Sequence, residues 1–217
     1  MTEDLTLDEI RLKLAPGIAA NAAFDGWDDA ARDMAAEAEG IDRDVAALAF
    51  PGGAVDMIDA WFASVDAAMA VALPASTLAT MKVRARISAL VEARIDAVAP
   101  YRESLRRALA ILALPQNVAR GAKLGWRSVD LMWRAAGDVA TDYNYYTKRT
   151  ILFGVYGATM TVLLDDDSER EADTRAFLAR RIEGIMAFEK AKAGFLARAA
   201  HRPSLSRFVG RLRYPVR

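Results

Sequence analysis

Apolar residues recur at three- and four-residue spacing along nearly the whole chain, and almost no stretch alternates with period two. The pattern predicts an all-α protein. Thr6 and Glu9 are spaced as a capping box for a first helix, which Gly26 ends. Short helices follow over 29–39 and 43–50, closed by Gly40 and by Pro51-Gly52-Gly53. Ile58, Phe62, Val65 and Met69 mark a fourth helix, stopped by Pro74. Val83, Ile87, Leu90 and Val91 mark a fifth that ends at Pro100; Leu105, Leu109 and Leu112 mark a sixth that ends near Pro115. Trp126, Val129, Trp133 and Ala136 share a face of a seventh. The eighth contains residues 150–164, which carry no charge. A helix apolar all round is expected to be buried on all sides. At 15 residues this stretch is short of the roughly 20 that span a bilayer, so it reads as the central helix of a soluble bundle. Gly154 and Gly157 within it are expected to mark a close neighbouring helix or room for a cavity. Asp165 to Asp167 read as a solvated loop, and Ser168 with Glu171 as a capping box for a ninth helix. A tenth follows Gly194, for ten in all.

Charge divides the chain more sharply than its net value of zero suggests. Residues 1–54 hold 12 acidic and 4 basic side chains, whereas residues 193–217 hold six arginines and no acid. Three segments are therefore expected: a module over 1–54, a helical bundle over 55–192 and a basic tail over 193–217. There is no cysteine, which removes disulfides, thiolate metal sites and cysteine nucleophiles. His201 is the only histidine, and no Glu-x-x-His pair exists from which to build a di-iron bundle site. No phosphate loop, nucleophile elbow or dinucleotide fingerprint is present. Neither a metal nor another cofactor is expected, and the chain does not read as an enzyme. The acidic start lacks both the apolar run of a secretory signal and the arginine bias of a transit peptide, so the expectation is a cytoplasmic protein.

The first three helices, with Phe50-Pro51 closing them, resemble a TetR-type helix-turn-helix module. Alanines and aspartates stand where that module presents its DNA contacts, so the module is degenerate. From about Tyr101 to Lys192 the resemblance is narrower. Ala110-Ile111-Leu112, Leu114-Pro115, Asn117 and Asp130 lead into a run of the form MW-x-x-AGD-x-x-TD-x-N-x-YT-x-R over residues 132–149, with Tyr156 beyond it. These residues are similar to the ninth-component family of coenzyme Q (ubiquinone) biosynthesis. The resemblance implies a TetR-like lipid-binding fold without chemistry of its own. It implies binding of a polyprenyl quinone or other isoprenoid lipid, and a demethoxyubiquinone hydroxylase as partner. It also implies a place on the inner face of the inner membrane. Oligomeric state is not readable from the sequence, although TetR-like proteins often dimerise through their last two bundle helices, which leaves a homodimer open. The alternative is a ligand-responsive transcription repressor of the TetR type. The negative balance of residues 1–54 argues against it, because phosphate binding needs basic side chains on the docking face.

Two groups of residues are singled out for the bundle. Trp126, Trp133, Phe153, Tyr156 and Met160, with Gly157 leaving room, are expected to line an apolar lipid cavity between adjacent helices. Asp142, Tyr145, Tyr146 and Arg149 form a cluster at the start of the eighth helix and are expected to dock the hydroxylase, since tyrosine and arginine are common interface anchors.

The tail carries the third group. Leu205, Phe208, Val209 and Leu212 lie at i, i+3, i+4 and i+7, flanked by Arg207 and Arg211, in a helix that Pro203 begins. An apolar stripe edged with arginine and free of acid fits insertion at an anionic membrane surface, where each basic residue contributes about 1 kcal/mol. Vesicle flotation checks this. The full chain is expected to float with vesicles containing anionic lipid, and deletion of residues 203–217 is expected to abolish flotation.

Overall fold

Thr6 opens the first helix as expected. Its hydroxyl accepts from the Glu9 amide while the Glu9 carboxylate accepts from the Thr6 amide at 2.8 Å, the reciprocal capping box. The structure is a computed structural model and describes residues 5–141 and 143–185. Asp142 and the tail residues Leu205, Arg207, Phe208, Val209, Arg211 and Leu212 lie outside the described residues.

The described residues hold nine α-helices whose ends are both described: α1 (Leu7–Ala22), α2 (Asp29–Ala38), α3 (Arg43–Ala49), α4 (Ala54–Ala72), α5 (Ala75–Ala79), α6 (Val83–Val98), α7 (Arg102–Leu112), α8 (Val118–Ala135) and α9 (Tyr143–Leu163). A 3-10 turn, Ala99–Tyr101, joins α6 to α7. Residues 172–185 are helical as well. The chain divides into two compact units, Met1–Leu178 and Ala179–Arg217. The expected helices up to residue 185 are present, and the architecture is all-α; the tenth expected helix, after Gly194, lies outside the described residues. One element is additional: the five-residue α5, too short to give a periodic signal.

Within the first unit α4 is the helix on which the others pack. It buries Val55, Met57, Ile58, Ala60, Trp61, Phe62, Val65, Asp66 and Met69, and α1, α6, α7 and α8 all lie against it. The three short N-terminal helices are fastened to the bundle by an aromatic seam. The rings of Trp27 and Trp61 are 5.3 Å apart, Tyr101 meets Trp61 edge-on, and the Trp27 indole donates to the Ser104 carbonyl at 2.9 Å.

The expectation of an all-round buried α9 is not met. One face, with Arg149, Leu152, Tyr156, Thr159, Met160 and Leu163, is buried. Thr150, Phe153, Gly154, Gly157, Ala158 and Thr161 are exposed. That face lacks charge because its residues are small or self-satisfied: the Thr161 hydroxyl donates to the Gly157 carbonyl at 3.1 Å. No described atom lies within 4 Å of where a Cβ on Gly154 or Gly157 would stand, so neither glycine marks a close helix approach. The close approach to α9 is made by Gly125 of α8, where a Cβ would come 2.7 Å from the Phe153 ring.

Of the three aspartates after α9, Asp165 and Asp167 are exposed, as a solvated loop requires, and only Asp166 departs from it. Asp165 binds Arg106 at 2.9 Å and Asp167 lies 3.8 Å from Arg102. Asp166 is buried. It accepts from the Ser168 amide at 2.9 Å and the Thr174 amide at 2.7 Å, and from both hydroxyls. Ser168 turns its hydroxyl toward Asp166, so the expected Ser168–Glu171 capping box does not form. Arg170 and Glu171 sit at φ 53° and 52°, a left-handed pair costing about 1–2 kcal/mol per residue, which the Asp166 network and the Arg175–Arg170 carbonyl bond hold in place. Burial alone raises the Asp166 pKa, but the bonds from Ser168 and Thr174 outweigh it and hold the carboxyl far below the usual carboxylate range. A depressed pKa gives stability that is present above the unfolded value of about 4 and is lost as pH falls toward the folded one. Asp166→Asn is therefore expected to lower unfolding free energy by about 2 kcal/mol at pH 7. Urea titrations should show the gap from wild type narrowing below about pH 4.

Candidate functional site

The turn from α8 to α9 is built from backbone bonds first. Gly137, at φ 87°, follows the α8 C-cap; its amide donates to the Arg134 carbonyl and the Asp138 amide donates to that of Trp133 at 3.0 Å. These two bonds are a Schellman motif, and the left-handed position favours glycine. The motif turns Asp138 back toward the bundle.

Asp138 meets α9 there. It accepts from Lys148 at 2.7 Å and from Arg149 Nη1 at 2.9 Å. Asp130, one face of α8 earlier, accepts from Arg149 Nε at 2.6 Å and from the Tyr145 hydroxyl at 3.1 Å. Arg134 donates to the second Asp130 oxygen at 2.7 Å. The Arg149 guanidinium, 1% exposed, stacks 3.6 Å from the Tyr145 ring centroid. Trp133 completes the clamp: its indole donates to the Lys148 carbonyl at 3.2 Å, and the Lys148 ammonium lies 5.5 Å from its ring. Burial opposes ionisation of both carboxylates, but hydrogen bonds from Arg149 with Tyr145 or Lys148 together hold Asp130 and Asp138 below the usual range. Burial likewise works against the Arg149 charge, and its two carboxylates outweigh it.

This geometry sorts the expected docking residues. Arg149 is buried and committed to two carboxylates, so it positions the site and offers no surface of its own. Tyr145 is half-buried between Arg149 and Tyr146, whose rings meet edge-on at 5.0 Å. Tyr146 is 61% exposed, and Tyr143 and Val139 are more exposed still. Val139 was not legible as a site residue; its only signal is an apolar side chain in the middle of a polar turn.

The six expected cavity residues are dispersed. Trp126 lines an open groove of about 510 Å³ with Asp59, Arg120, Lys123, Arg127 and Tyr145, and that groove is charged. Trp133 belongs to the clamp. Phe153 covers Gly125, and Gly157 is at the surface. Tyr156 and Met160 face the core, where the Tyr156 hydroxyl accepts from Arg94 Nε at 2.9 Å. Arg94 in turn is ion-paired with buried Asp66, onto which Ser128 donates at 3.4 Å. This buried polar network joins α4, α6, α8 and α9. Beside it a second, apolar cleft of about 300 Å³ opens between α4, α5, α6 and α8.

The class of protein follows from the fold. The chain superposes on the crystal structure of the TetR transcriptional regulator from Nitrosomonas europaea with a TM-score of 0.64 at 23% identity, over 80% of this chain and 96% of that one. It is a TetR-like all-α fold. Residues 118–189, which include the clamp, match the COQ9 family model. It is 45% identical over 96 residues to the rat ubiquinone biosynthesis protein COQ9, mitochondrial, a span covering 44% of this chain and 31% of the relative. The human relative of the same name is 42% identical over 44% of this chain and 30% of its own length. The Drosophila melanogaster relative is 27% identical over 82% of this chain and 55% of its own. The matches to the rat and human proteins thus span about a third of those relatives' length.

Arg149→Ala would leave Asp130 and Asp138 facing each other without their shared cation. Loss of one partner of a buried pair costs about 3–5 kcal/mol. Unfolding in urea at pH 7 is expected to show a loss of about that size. Arg149→Lys is expected to recover only part of it, since an ammonium cannot fork between two carboxylates.

Proposed function

We propose that this chain is a non-catalytic accessory protein of ubiquinone biosynthesis. It binds a polyprenyl quinone intermediate or related isoprenoid lipid at an anionic membrane surface and presents it to the demethoxyubiquinone hydroxylase. The observation that carries the reading is the exposed surface of Tyr143, Tyr146 and Val139 beside the Arg149 clamp, with Tyr146 edge-on to Tyr145, inside the span that matches COQ9. Exposed tyrosines, with few rotatable bonds to order, bind a protein partner at low entropic cost. The names of the mitochondrial relatives support the pathway, and the inner face of the inner membrane is the corresponding place for this chain. The commitment of Asp130, Asp138 and Asp66 to arginines supports a binding role over acid–base work.

The degenerate N-terminal module supports this reading over a repressor. Helix α3 has seven residues, Asp42 caps it, and Arg43 is tied to Glu37 at 2.8 Å. What it offers outward is Arg43, Asp44, Val45 and Leu48, with the single cation among them paired to Glu37, a surface poor in the positive charge that phosphate binding needs.

The test has two arms on the full chain. Mass spectrometry is expected to find an isoprenoid lipid carried through purification. Tyr146→Ala is expected to weaken association with the hydroxylase about tenfold or more by calorimetry, at unchanged stability. Unchanged association removes the docking surface from Tyr146, and a lipid-free protein removes the lipid-carrier role.

A further inference from the structure

The apolar cleft beside α5 has a polar inner end, and its chemistry is specific. Leu78, Leu90 and Met69 are buried walls, while Ala70, Leu131 and Ala135 stand at the exposed mouth. The charged group at the inner end is Asp66, 7% exposed. One of its oxygens is taken by Arg94. Among the described residues the other has only long contacts, Ser128 Oγ at 3.4 Å and Arg127 Nε at 3.7 Å. An ionised carboxylate is an acceptor with about four lone-pair sites, so Asp66 retains acceptor capacity toward the cleft. The other charged liner, Arg134, lies at the mouth and is bonded to Asp130.

We propose that this cleft holds the head group of an isoprenoid phenol or hydroquinone, whose hydroxyl donates to Asp66, with the prenyl chain leaving across Ala70, Leu131 and Ala135. The proposal rests on the lipid-binding reading above and adds a selectivity to it. A quinone head has carbonyl acceptors alone, so it would set oxygen against carboxylate oxygen. A hydroquinone supplies the missing donor. A site built to pair a hydroxyl rejects the analogue that lacks it, because the buried partner is left unsatisfied. The cleft therefore sorts one redox form of the same lipid from the other. It places the protein after a reaction that leaves the ring reduced, or beside a reductant that makes it so.

The test is an anaerobic calorimetric titration of the full chain with three probes: 2-geranyl-1,4-benzohydroquinone, the corresponding benzoquinone and the hydroquinone dimethyl ether. The hydroquinone is expected to bind at least tenfold more tightly than the quinone, with the dimethyl ether as weak as the quinone. Ala70→Trp and Ala135→Trp fill the mouth from exposed positions and are expected to weaken hydroquinone binding at least tenfold with the helical circular dichroism unchanged. Asp66→Asn is expected to erase the preference; should it fail to fold, the probe series and the mouth variants still decide. Equal affinity for quinone and hydroquinone overturns the selectivity and leaves lipid binding standing. Tight binding untouched by either tryptophan overturns the location. Failure of all three probes to bind overturns both this inference and the lipid-carrier reading.

Discussion

A guanidinium buried between two helices must find both its charge and its hydrogen bonds there. Arg149 meets that demand with Asp130 from within α8 and Asp138 from just beyond it. The two carboxylates reach it only if α8 ends at Gly137 and the chain reverses at once, so the ion pair and the Schellman turn specify each other. Tyr145 stacks on the guanidinium and Tyr146 meets Tyr145 edge-on, so the exposed Tyr146 ring rests over a buried charge. The same turn is anchored from the far side by Arg86, which donates to the Ala136 carbonyl at 2.9 Å.

The second buried arginine follows a similar rule in a different place. Arg94 joins α6 to Asp66 of α4 and Tyr156 of α9, at the level where α8 contributes Ser128. Replacing such a network with hydrocarbon is often neutral or stabilising, so its presence in a core is weak evidence for stability alone. Its position at the inner end of an apolar cleft sets a charged acceptor where a hydrocarbon core would offer none.

Much of this was readable from spacing. The capping box at Thr6, the stop at Pro74, the glycine at 137 and the face of α8 each carry local signals, and local signals survive folding. Where the structure departs from the pattern, the cause is shared: charge does not guarantee exposure, nor its absence burial. Residues 150–164 lack charge yet have an outer face, because threonine and glycine are polar or small without being ionised. Asp166 lies between two aspartates in a polar loop and is buried, and Arg149 follows a lysine and is buried too. What decides these cases is a partner distant in sequence. One such pairing did leave a trace: Asp66 and Arg94 each sit within an otherwise apolar stripe, Asp66 after Phe62 and Val65, Arg94 after Leu90 and Val91. Opposite charges in two core stripes point to each other. The exposed turn residue Val139 left no comparable trace.

Helix α5 forms one wall of the apolar cleft with five residues and buries a single side chain, Leu78. It has no side-chain cap at its start. Helices this short gain little from their own hydrogen bonds, so α5 persists because Leu78 is seated. Its free energy of opening is then set by that one contact and lies well below that of the helices around it. The cleft can then widen on this side without the bundle unfolding, and amide exchange would be faster along α5 than in the helices packed around it.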